Sequence, residues 1–257
     1  MSTHPLLARA DAGESLRGLA VAVAAPSLVE FGGWAGFDWT FIDVHQAAID
    51  AATCESMLRA AERSGMTAFV RLPRAAPELI SSYLDMGAVG VVVPHMDTAE
   101  VAAAAVEQAR FRPEGRRGSN MAARAARYGL VGSAADYQAR FNRESVLIGM
   151  IEAKAAVDNL PAILEVRGID LFMLGLMDLS ESLGVPGQWD HPDVTKAVDE
   201  VVGRVRAAGR HVCVPTMDLD RAPGSVRELR ERGVHFTVVS VYQLLSAACG
   251  RFLAPAP

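Results

Sequence analysis

The stretch VLIGMIE, Val146 to Glu152, is an unbroken apolar run closed by one acid. A short run with no polar alternation describes a parallel strand covered on both faces. A helical pattern from about Ala155 to Leu164 follows, so Glu152 stands where the strand leaves the sheet. The next apolar run, Ile169 to Leu174, leads through LGLMDLS to Asp178 and Ser180, and brings a second acid to the same edge. In a repeated β/α chain that edge collects catalytic groups. Two hard oxygen donors there suit a divalent ion, Mg²⁺ or Mn²⁺, although helix capping would account for either acid alone.

Working outward, the same alternation recurs along the chain. Strands are expected at Leu19–Val23, Phe37–Asp43, Thr67–Pro73 and Val89–Pro94 before the central stretch, and at His211–Pro215 and Phe236–Ser240 after it. Between them Asp50 caps a helix, Pro77 opens one that ends before Gly87, and Pro192 opens a long amphipathic one. A short helix stopped by Gly13 precedes the first strand. Only residues 112–143 break the rhythm, with the tight run Gly115 to Gly118 and a helical segment near Tyr137. Eight strands alternating with helices predict an α/β fold, a closed (β/α)8 TIM barrel, as one domain over residues 1–257.

The chain is 257 residues long, 51% hydrophobic, with a formal net charge of −5 and interspersed signs. That balance offers no basic patch for nucleic acid or an anionic membrane, and a small, anionic substrate fits better. Cys54, Cys213 and Cys249 are odd in number, lack metal-ligand spacing and read as reduced thiols, which predicts a cytoplasmic protein. No run reaches the length of a membrane span.

With the strands placed, the edge residues in order are Asp43, His45, Gln46, Arg71, Glu152 and Asp178, with Asp85 on the helix between the third and fourth strands. Together with GFDWTFID (36–43), VRLP (70–73), LDMGAVGVVVP (84–94), PEGRRG (113–118) and GLMDLS (175–180), this order resembles the HpcH/HpaI aldolases. These are metal-dependent pyruvate aldolases related to the citrate lyase beta chain, and the likeness runs through nearly the whole chain from Gly32. It implies a barrel of the phosphoenolpyruvate/pyruvate-binding type. The implied chemistry is a metal-bound enolate of a 2-keto acid such as pyruvate, made or consumed with an aldehyde or acyl acceptor. The residues matching Glu152 and Asp178 hold the ion, Arg71 stabilises the enolate, and backbone N–H groups near Met177 and Asp178 hold the keto-acid carboxylate. The implied assembly is a homo-oligomer, a hexamer of dimers that exchange a terminal helix.

This chain also departs from the family pattern, which after the second strand runs Asp, any residue, Glu, His. Here the run is Asp43, Val44, His45, Gln46, so an amide takes the place of the histidine that Asp85 would partner. An amide neither takes up nor releases a proton near pH 7. Proton transfer then falls to metal-bound water, His45 or Asp85, and Gln46 becomes a substrate contact. Leu176 and Met177 replace a Pro-Ala pair and reshape the keto-acid pocket, and Val239 to Val241 replaces a Gly-Ser-Asp run. Three readings follow: an aldolase-type carbon–carbon lyase; a 2-keto diacid decarboxylase or specialised condensing enzyme on the same scaffold; and a catalytically silent keto-acid-binding barrel. His95, after the fourth strand, reads as a loop residue bonded to backbone; Arg117 orders the site; Trp189 is free to meet substrate or a neighbouring subunit.

Overall fold

The computed structural model describes residues 2–217, 219 and 222–254. Eight parallel strands close on themselves in sequential order: β1 Leu16–Val21, β2 Trp39–Asp43, β3 Thr67–Arg71, β4 Gly90–Val93, β5 Val146–Ile151, β6 Leu171–Leu174, β7 His211–Pro215 and β8 Phe236–Ser240. Closure is made by β1 against β8, Leu16 opposite Phe236 and Ala20 opposite Ser240. The chain is a (β/α)8 barrel.

Period-two alternation explains what fills it. Trp39 and Phe41 of β2, Phe69 of β3, Ile148 and Met150 of β5 and Phe236 of β8 share one buried cluster inside the barrel. Residues between them, such as Ile42 and Val70, pack outward against the helices. Trp39 meets Phe69 and Phe236 edge-on at 5.9 and 6.2 Å. Gly18 is required beneath it, because a Cβ there would come within 2.3 Å of the indole. Leu6, Leu7 and Ala10 of the first helix, Pro5–Asp11, join this cluster and plug the amino end.

The same alternation aims the strand ends at the mouth. Counting in twos from Trp39 through Phe41 reaches Asp43, from Phe69 reaches Arg71, and from Ile148 through Met150 reaches Glu152. Among the described residues no helix is long and apolar enough to cross a membrane.

Candidate active site

Asp43 and Arg71 end adjacent strands and are paired in register, so their side chains meet across the mouth. The guanidinium holds the carboxylate with both prongs, Nε to Oδ1 at 2.9 Å and Nη2 to Oδ2 at 2.5 Å. Asp43 Oδ1 also accepts the backbone N–H groups of His45 and Gln46 at 3.0 and 3.2 Å. These contacts fix the turn after β2 and occupy the Asp43 oxygens, which makes Asp43 a positioning group. Arg71 further donates to Gln46 Oε1 at 3.0 Å, while Nη1 meets the sulfur of Met150 at 3.9 Å. The guanidinium also lies over the Phe41 ring, 5.5 Å from its centroid. Arg71 is thus a buried cation with one lightly engaged arm.

Glu152 follows β5 and is 2% exposed. Its Oε1 accepts the backbone N–H of His95 at 2.6 Å, and His95 Nδ1 stands 3.4 Å from the same oxygen. Gly175 makes the space for its other oxygen, since a Cβ at Gly175 would lie 2.5 Å from Glu152 Cβ and 2.8 Å from Oε2. Burial, chiefly, pushes the Glu152 carboxyl up; the charge of Asp178 adds to this, and the His95 N–H and the charges of His95 and Arg71 oppose it. Asp178 sits in the first turn of the helix Leu176–Ser182, where an acid favours the dipole. A buried carboxylate raised by desolvation and faced by a second acid is an arrangement that a divalent cation relieves. The donor set therefore fits the ion, although among the described residues no three His, Cys, Asp or Glu side chains are yet gathered as a metal site.

His45 is half-buried, and its Nδ1 is buried with no hydrogen-bond partner. Burial, then the Arg71 charge, lower its pKa; Asp43 and Asp178 oppose this. Its ring lies 5.8 Å from that of His95, so the two imidazoles are neighbours. Gln46 is exposed apart from its bond to Arg71.

Asp85 is the predicted site residue that the structure does not bring to this mouth. It ends the helix Pro77–Asp85, which leaves the carboxyl edge after β3 and returns to the amino edge before β4. There it binds Arg117 Nη2 at 2.5 Å and Asn120 Nδ2 at 3.4 Å. Arg117 is clamped between the rings of Phe111 and Phe141, 4.6 and 4.1 Å from their centroids. The segment 112–143 therefore orders Asp85 at the opposite end of the barrel, and Arg117 does not order the mouth. A cleft of about 940 Å³ also lies away from the mouth, lined by Arg59, Arg124, Tyr128 and Arg140.

His95 is a mouth residue, beside Glu152 and His45. Its place directly after Pro94, at the end of β4, is the same strand-end signal that marked Glu152 after β5. Trp189 is partly exposed and shares a cleft with Met217 and Tyr242.

Fold and mouth together define a parallel β/α barrel with an acidic, arginine-bearing carboxyl edge. The model of the HpcH/HpaI aldolase/citrate lyase family matches residues 17–241, and the chain belongs to that family. A 5-keto-4-deoxy-D-glucarate aldolase of Salmonella paratyphi A is 35% identical over 218 residues, 85% of this chain and 82% of that protein. An HpcH/HpaI aldolase/citrate lyase family protein from Burkholderia cenocepacia superposes with a TM-score of 0.88 at 32% identity, over 97% of this chain and 98% of the other. The citrate synthase SbnG superposes with a TM-score of 0.84 at 28% identity, over 96% of each chain.

Proposed function

We propose that the protein is a divalent-metal-dependent carbon–carbon lyase of the aldolase type, acting on a 2-keto acid such as pyruvate and an aldehyde or acyl partner. The observation that carries this reading is the buried Glu152 carboxylate, faced by Asp178 and set across the mouth from the Arg71–Asp43 fork. Glu152 and Asp178 would hold Mg²⁺ or Mn²⁺, which supplies Lewis-acid polarisation of the keto oxygen. Arg71 presents its Nη1 to the oxygen on which enolate charge develops, held in place by Asp43 so that no reorganisation is needed. The first-turn N–H groups of Leu176, Met177 and Asp178 precede any helical acceptor and are free for the keto-acid carboxylate.

His45 moves the proton. Its lowered pKa keeps the imidazole neutral near pH 7, the form a general base requires, and its buried Nδ1 awaits a partner. Gln46 stands where the family's histidine would and is tied to Arg71, which assigns it to orienting the cation and the substrate. Asp85, remote from its own mouth, acts catalytically only if a neighbouring protomer brings it to another site. The terminal helix Val241–Leu253 supports such an assembly, a hexamer of exchanged dimers, because Phe252 and Leu253 are 88% and 76% exposed. The free thiols of Cys54, Cys213 and Cys249 support a cytoplasmic setting.

Pyruvate release from a panel of 4-hydroxy-2-keto acids tests the lyase reading. It should require Mn²⁺ or Mg²⁺ and vanish with chelator, and full turnover by metal-free protein would refute it. Gln46 with Leu176 and Met177 favours a second reading, in which the same enolate is reached by decarboxylating a 2-keto diacid or used in a condensation. Gln46→His separates the two: restored cleavage of common hydroxy keto acids supports a lost standard base, and no gain supports the altered reaction.

A further inference from the structure

We propose that His95 supplies an imidazole nitrogen to the ion held by Glu152, and that this donor makes the site prefer a transition ion over Mg²⁺. The proposal rests on reading Glu152 and Asp178 as metal ligands. His95 is bound to Glu152 by its own backbone N–H, at 2.6 Å, so the two residues move as one unit. Its Nδ1 then lies 3.4 Å from the oxygen that receives that bond. This is too long for a good N–H···O bond, yet close to the separation of about 3 Å between two donors bound side by side to one ion at about 2.1 Å. The spacing is that of neighbouring ligands rather than of a hydrogen-bonded pair.

The backbone supports the same conclusion. His95 has φ +51°, in the left-handed region that non-glycine residues seldom occupy. Three bonds over-determine it: its own N–H to Glu152, Met96 N–H to Met150 O at 3.2 Å, and Asp97 N–H to His95 O at 2.9 Å. Strain held by surrounding structure gathers where a side chain must point in one direction. Here the direction is toward Glu152, with the imidazole about half exposed to the mouth. Carboxylates and water suit Mg²⁺ and Mn²⁺, whereas an imidazole in the set shifts the preference toward later transition ions such as Co²⁺ or Zn²⁺. His45, its ring 5.8 Å from that of His95, stays outside the donor set and keeps its proton-carrying role.

The test uses the full chain stripped of metal and titrated with MgCl₂, MnCl₂ and CoCl₂, read by calorimetry and by pulsed EPR of bound Mn²⁺. Wild type should bind Co²⁺ at least about 100-fold more tightly than Mg²⁺, and bound Mn²⁺ should show nitrogen modulation from a coordinated imidazole in the EPR signal. His95→Asn is the informative variant, because asparagine tolerates the left-handed backbone. It should lose the nitrogen modulation and reduce the Co²⁺-to-Mg²⁺ preference by about tenfold or more, with Mg²⁺ affinity nearly unchanged. His45→Gln should keep the modulation. Mn²⁺ binding that needs Glu152 but shows no nitrogen coupling, or a preference unchanged in His95→Asn, overturns the proposal and leaves the Glu152 reading intact. Failure of every ion to bind, or binding indifferent to Glu152→Gln, overturns both.

Discussion

Arg71 and Asp43 show how single side chains set this mouth, because their bidentate geometry cannot be reproduced by another cation. Arg71→Lys keeps the charge and loses the fork, so kcat should fall about 100-fold with a smaller change in KM, measured on whichever keto acid is turned over. Arg71→Ala should cost about 3–5 kcal/mol in a denaturant titration, since it leaves Asp43 buried without its partner. At His45 the sign follows from its lowered pKa: the neutral base is lost only as pH falls through that value, below the ordinary 6.5. The acid limb of kcat/KM should therefore lie below pH 6.5 and disappear in His45→Gln. At this scale the sequence was legible wherever a residue ended a strand, as Asp43, Arg71 and Glu152 do. That Asp85 lies far from its own mouth was not legible, because likeness to a family pattern ignores direction: a helix that follows a strand runs back, and its last residue lies at the far end.

Elements place these residues through tight approaches that only glycine permits. A Cβ at Gly175 would press on both Glu152 Cβ and Oε2, so Gly175→Ala should weaken Mn²⁺ binding in calorimetry and cost about 1–3 kcal/mol of stability. Secondary structure was legible to within two or three residues at most strand ends, because buried parallel strands are nearly continuous in apolar residues. The first strand was set too late: it begins at Leu16, not Leu19, since exposed Arg17 interrupts the run at the barrel's amino end. Asp178 lies in the first turn of the helix Leu176–Ser182, whose bounds the sequence did not give because seven residues are too few for helical periodicity to register. The single helix expected after Glu152 is two, Lys154–Asp158 and Leu160–Glu165, divided near Pro161, whose missing N–H suits the start of the second.

Across the whole molecule, three imidazoles away from the mouth resist protonation. Burial, chiefly, lowers the pKa values of His4, His211 and His235, and of these His211 is only 3% exposed. A histidine lowered in the folded state binds its proton more readily once unfolded, so stability is complete above about pH 6.5 and declines below it. The thermal midpoint should drop between pH 7.5 and 5.5, and His211→Gln should flatten that slope. The closed barrel was legible because eight similar units share one pattern, whereas residues 112–143 follow no such period and their bond to Asp85 is purely tertiary. On the proposed function, this mouth enolises a keto acid through Glu152, Asp178 and a divalent ion. Proton NMR of pyruvate in D₂O measures it most directly. The prediction is loss of the methyl signal with enzyme and Mg²⁺, halted by chelator and by Glu152→Ala. Methyl protons that stay unexchanged with metal-loaded wild type, or exchange equally well in Glu152→Ala, would contradict it.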